Sequence, residues 1–264
     1  LVGDSQWIDW SFASGQPAYD ARIGGVNTFT PATAIKNDAI FFPDIPFGTE
    51  RRLLELDIVV FPSGTSQVNV EFELYDLVGY YPLIDGDNTD IQEMDNTLLL
   101  PRYVTGEGVF PVLVNHVAPS TAVADMVVTY TNSLGVTNKT VTWHCNLNGP
   151  GKVSYTHRLG GGGGLLYAAL AEGDTGIRAI ESVQFVTPPS GLWVIYLVKP
   201  LGQFANRAGS ATTTTNGTME RNWALQNAFR LPLIPDGAWL GFFYLPNGGG
   251  RSITLHGNAK FIWG

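Results

Sequence analysis

The chain has 264 residues, a formal net charge of −8 and 14% charged residues against 44% hydrophobic ones, where a quarter charged is usual. Its 15 Lys and Arg are scattered, with Arg51-Arg52 the one adjacent pair, so the clustered cations that neutralise phosphates are missing and nucleic acid and anionic membrane surfaces are excluded as partners. The single cysteine, Cys145, rules out an intrachain disulfide, and no apolar run reaches the length of about eighteen residues that a transmembrane helix needs.

Residues 1–50 are rich in Gly, Pro and aromatic residues, among them Trp7, Trp10, Phe12, Tyr19, Phe29 and Phe41, with neither helical nor strand period. They are expected to form an extended N-terminal arm with short strands near 20–30 and 38–42. Trp7, Trp10 and Phe12 are the candidate anchors for a neighbouring subunit; the competing expectation is that the segment covers the chain's own core.

Strand signals begin at Leu53 to Phe61, with Leu54, Leu56, Ile58 and Val60 on one face, and continue at Val68 to Leu74, where Val68, Val70, Phe72 and Leu74 alternate with Asn69, Glu71 and Glu73. The pair reads as an antiparallel hairpin joined across Pro62-Ser63-Gly64. Residues 76–100 are less regular and include the acidic turn Asp85 to Asp90. Strand pattern resumes at Val109 to Val117. Val123 to Thr131 and Val136 to Cys145 follow, joined by the turn Asn132-Ser133-Leu134-Gly135, with Tyr130 on the face of Met126 and Val128, and with Val141, Trp143 and Cys145 together. Two more strands are expected at Ile177 to Val186 and Leu192 to Val198. Residues 203–218 read as a long polar loop, Met219 to Phe229 as the one helix, and Trp239 to Leu245 and Ile253 to Trp263 as the last strands. This is an all-β chain, an antiparallel β-sandwich of jelly-roll-like type. Residues 51–264 form its body, and 107–200 hold enough strands for a lobe of their own.

Motifs that carry chemistry are sparse. Asp174-Thr175-Gly176 is the aspartic-protease triplet, but it occurs once, and two copies are needed to share a proton; a polar turn before the strand at Ile177 is expected. The acidic run from Asp85 lacks the sixth-position glycine of a calcium loop, which is Asp90 here. His116, His144, His157 and His256 lack metal-ligand spacing. His144 and Cys145 are neighbours in a strand and point to opposite faces, so they form no dyad; Cys145 is expected to be a small buried hydrophobe. Five glycines at 160–164 lack the lysine of a phosphate loop. No catalytic residue, metal or cofactor is assigned, and the chain is not expected to be an enzyme.

Several segments carry a resemblance: Leu99-Leu100-Pro101-Arg102-Tyr103, Gly106-Glu107-Gly108-Val109, Val128-Thr129-Tyr130-Thr131-Asn132 with Gly135, Gly173-Asp174-Thr175-Gly176-Ile177-Arg178, Leu197-Val198-Lys199-Pro200-Leu201, Asp236-Gly237-Ala238-Trp239-Leu240 and Phe261-Ile262-Trp263-Gly264. Over residues 72–264 the chain resembles a family of structural proteins of tailed-bacteriophage virions. The resemblance implies a virion component of decoration (cement) or minor capsid type. Such a protein stabilises the shell by contact with the major capsid protein or other virion proteins, as a homo-oligomer. It brings no active-site residues. Two rival expectations stand beside it. A glycan- or receptor-binding module of a tail or head fibre needs exposed Trp or Tyr in a concave site. A polysaccharide hydrolase needs two carboxylates facing each other across a groove.

Overall fold

The computed structural model describes residues 7–10, 25–32, 50–62, 68–120, 123–146, 153–154, 166–208, 217–222, 231–247 and 253–263. Among them there is no α-helix, and every pairing between the named strands is antiparallel. The all-β, sandwich-like class expected from the sequence is the class observed.

The central sheet is built on two long strands, β4 (Val68–Asp85) and β10 (Leu192–Ala208). They pair along nearly their whole length, from Leu192 opposite Asp85 to Ala208 opposite Val68. The ladder slips in register at Trp193/Ile195, Leu197/Val198 and Pro200/Gly202; extra residues of this kind bend and twist a strand. β12 (Leu240–Asn247) flanks the first half of β4, and β1 (Ile8–Asp9) flanks β12. At the other half, β2 (Thr30–Pro31) lies beside β4 and β6 (Phe110–Val117) beside β10. A three-stranded sheet has β3 (Arg51–Pro62) between β11 (Gly217–Asn222) and β13 (Ile253–Trp263). A four-stranded sheet has the order β5 (Gln92–Glu93), β9 (Ile177–Phe185), β7 (Val123–Asn132), β8 (Lys139–Asn146).

Period-two alternation sorts these sheets into layers. Along β4, Val70, Phe72 and Leu74 enter one core with Leu53, Leu56 and Ile58 of β3. Farther along the same face, Val78, Tyr81 and Ile84 enter a second core with Trp193, Ile195 and Leu197 of β10 and with Met126, Val128, Tyr130, Trp143, Ile180 and Phe185 of the four-stranded sheet. The two small sheets therefore cover one face of the central sheet, one at each end. On the opposite face, Tyr75, Leu77, Val194, Tyr196, Val198 and Phe243 pack under Trp7, Ala32, Val153 and Leu166.

Several expectations are corrected. β3 and β4 do not form a hairpin: both edges of β4 are taken by β10 and β12, and β3 joins another sheet. The inward set of β3 is Leu53, Leu56 and Ile58, because Leu54 is an extra residue where Phe261 pairs with Leu53 and Lys260 with Glu55. Residues 76–85 continue β4 rather than loosening, and Pro82 and Leu83 (φ 58°) are absorbed where the register slips. The polar segment after Leu201 continues β10 as far as Ala208. Met219 to Asn222, expected to open a helix, belong to β11, where pairing with β3 overrides the helix-forming side chains; 223–229 lie outside the described residues. Phe29, Val78, Tyr81, Ile84 and Met94 pack in the same core as the strands of 107–200, which leaves the expected lobe neither established nor excluded. In the first fifty residues β2 falls in the expected 20–30 region, and 38–42 lie outside the described residues.

Candidate functional site

Several of the segments singled out from the sequence, although far apart in the chain, are joined by side-chain and backbone contacts. The centre is Asp76, on the shared face of β4 between the two cores. Arg102 approaches it from the loop after β5: Nε donates to Oδ2 at 2.9 Å and Nη2 to Oδ1 at 2.7 Å, a bidentate pair. The remaining guanidinium protons go to backbone carbonyls of Ala32 (2.8 Å), Leu77 (2.7 Å) and Gly237 (2.9 Å), and the Trp239 N–H donates to Asp76 Oδ1 at 2.8 Å. Burial pushes the Asp76 carboxyl above its ordinary value, and Arg102 and the Trp239 N–H offset part of that rise. One buried arginine thus ties residues 32, 76–77 and 237–239 together.

The next residues bring the loop to the surface. Lys199 on β10 stands over the Tyr103 ring, 5.5 Å from its centroid, and donates to the Glu107 carbonyl at 2.9 Å. The Glu107 carboxylate accepts from Thr175 Oγ1 at 2.7 Å. Here two backbones touch: a Cβ on Gly176 would lie 2.1 Å from the Gly106 carbonyl oxygen, so only glycine fits. Asp174 turns inward and accepts from the Tyr130 hydroxyl at 2.6 Å and the Asn132 amide at 2.8 Å, with Lys139 Nζ at 3.7 Å. Desolvation would raise the Asp174 carboxyl, but these three partners hold it below its ordinary value. The Asp-Thr-Gly triplet is therefore the expected turn, with its carboxylate committed to bracing β7 and β8.

Arg178 locks the outer loops to each other. Its guanidinium donates to the Thr105 carbonyl at 3.0 Å and to the Ser133 carbonyl at 2.9 Å, while Asn96 donates to the Ile180 carbonyl at 2.7 Å. Beside these anchors the loops hold aliphatic side chains out to solvent. Leu134 is 80% exposed, Leu99 79% and Val104 72%, with Leu98 and Val136 also exposed. These aliphatic side chains are therefore carried on loops that Arg102 and Arg178 brace through backbone carbonyls.

The anchors proposed from sequence lie elsewhere. Trp7 is 4% exposed and packs in its own chain's core, so its ring is not at the surface for a partner. Trp10 is half-buried and stands edge-on to Phe242, ring centroids 5.5 Å apart. Phe12 lies outside the described residues. Of the other tryptophans, Trp143, Trp193 and Trp239 are buried and Trp263 is 42% exposed. Cys145 is buried, and its neighbour His144 faces away to meet Asp125 at 2.5 Å. Among the described residues no group of three or more metal-ligating side chains gathers; Asp85 and Asn88 instead accept from the backbone N–H groups of Asp87 and Asp90. Two carboxylates on one face of the central sheet, Asp9 and Glu73, are buried rather than set along a cleft.

Sequence reasoning missed Asp76, Arg102 and Arg178. A signal was present: in a chain this poor in charge, an arginine set in Leu98-Leu99-Leu100-Pro101-Arg102-Tyr103 has apolar neighbours on both sides, and three consecutive leucines outside a strand leave some of them at the surface. Comparison with protein-family models, with curated proteins and with solved structures returned no match.

Proposed function

We propose that this chain is a virion structural protein of decoration or minor capsid type, which holds shell proteins through the exposed aliphatic side chains of these braced loops. The observation that carries the reading is the set of exposed aliphatic side chains, Leu99, Val104 and Leu134 foremost, on loops fixed by Arg102 and Arg178. Low charge and the resemblance of residues 72–264 to phage virion proteins support it. Such a surface needs no rearrangement to dock, which limits the entropic cost of association. Binding to the assembled shell but not to free subunits stabilises the shell by mass action.

The test uses shells prepared without this protein. Added back, it is expected to bind them and raise their disassembly temperature. The variants Leu99→Asp and Leu134→Asp are expected to keep the melting temperature of the isolated protein and to lose binding at least tenfold. Shells that ignore the wild-type protein, or variants that bind as well as wild type, would overturn the reading.

A further inference from the structure

The first described strand, β1, is two residues long and touches the sheet on one side only, with Ile8 opposite Tyr244 and Asp9 opposite Phe243 of β12. Four residues are nevertheless held closely. The Trp7 carbonyl accepts from the Val153 N–H at 2.9 Å and the Trp7 side chain packs in the core. Asp9 is fully buried, and its carboxylate accepts from the Tyr196 hydroxyl at 2.8 Å and the Tyr75 hydroxyl at 3.3 Å. Trp10 stands against Phe242. Among the described residues, the groups that grip this segment include β12, Tyr75 and Tyr196 of the central sheet and Val153. They read a short extended backbone, a tryptophan and a carboxylate, and none of these depends on which chain the segment comes from.

We infer that this socket is an exchange site, in which residues 7–10 of one copy of the chain dock on β12 of a second copy as they do on their own. An empty socket would bare the β12 edge, a template for strand addition. It would also remove the Asp9 carboxylate that accepts from the Tyr75 and Tyr196 hydroxyls. An opened socket is therefore refilled, and at the local concentration of an assembly a neighbour's identical segment competes with the chain's own at little cost in energy. The occupant is set by chemistry: a segment with tryptophan two residues before an aspartate, which this chain carries at Trp7 and Asp9. The inference concerns copies of the chain alone and stands apart from any shell partner.

Two variants of the full chain, Ile8→Cys and Tyr244→Cys, are mixed in equal amounts, incubated at high concentration and oxidised gently. The native Cys145 is 1% exposed and stays out of the reaction. A disulfide between positions 8 and 244 in this mixture can form only between chains. The expected result is a covalent dimer holding one copy of each variant, more abundant at higher protein concentration. Adding Asp9→Ala to the Ile8→Cys chain is expected to lower the yield at least tenfold. A mixture that stays monomeric, while the double variant Ile8→Cys/Tyr244→Cys closes its disulfide within one chain, overturns the exchange. A double variant that forms no such disulfide in any mode removes the β1–β12 pairing itself and the inference with it.

Discussion

Glu73 offers the sharpest quantitative test of the packing. It lies on β4 between Phe243 of β12 and Gln203 of β10 and is 5% exposed. Burial pushes its carboxyl up to about 7 from the ordinary 4.5, opposed in part by the Tyr167 hydroxyl. Below about pH 4.5 the folded and unfolded chains both carry the proton. Between there and about 7 the unfolded chain loses it and the native chain keeps it, so stability falls as the pH rises and levels off above about 7. At about 1.4 kcal/mol for each pH unit, the native state forfeits about 3 kcal/mol by pH 8. Glu73→Gln keeps the shape and cannot ionise, so it removes this slope. Urea unfolding of both proteins from pH 5 to 8 is the assay. The variant is expected to match wild type within about 1 kcal/mol at pH 5 and to exceed it by about 2–3 kcal/mol at pH 8. A difference that does not change with pH, or a variant weaker than wild type at pH 8, refutes the argument that burial holds the proton on this carboxyl.

Further outcomes follow from the other buried and close-packed groups. Arg102→Met leaves Asp76 buried without its cation and is expected to cost about 3–5 kcal/mol in chemical denaturation, while Asp76→Leu/Arg102→Met recovers only part of the loss, because the Ala32, Leu77 and Gly237 carbonyls and the Trp239 N–H still lose a partner. Gly176→Ala drives a methyl into the Gly106 carbonyl and is expected to lower the melting temperature markedly. Gly173→Ala, at φ 85° with open space around it, is expected to cost only about 1 kcal/mol. Burial raises the Cys145 thiol well above its ordinary value, so it is expected to resist an aromatic disulfide reagent in the native protein and to react fully in denaturant.

Strand alternation was legible wherever one face of a strand meets one core. Val70, Phe72 and Leu74, and likewise Met126, Val128 and Tyr130, are buried as their spacing predicts. Pairing was less legible, because a short link between two strands favours a hairpin and carries no sign that the edges of β4 are taken by β10, β12 and β2, all distant in sequence. The slip at Leu54 and the extension of β10 past Leu201 depend on partners, not on local pattern. Met219-Glu220-Arg221-Asn222 reads as helix former by composition and is strand by context. At the site, the turn role of Asp174-Thr175-Gly176 was readable from its glycine and its position before a strand. The role of Arg102 was not, since an arginine ordinarily lies at the surface and only the convergence of four distant segments makes a buried place for it.

The two long strands have a mechanical consequence. β4 and β10 run antiparallel through both packing regions, so neither region can come apart without tearing the same hydrogen-bonded ladder. A pull along these strands, with one handle near Asp85 and the other near Ala208, loads many of those bonds in shear at once, whereas a pull across them opens the ladder bond by bond. Resistance to force is therefore expected to be greater along these strands than across them, which a pulling experiment with the two handle geometries would show as a higher rupture force in shear.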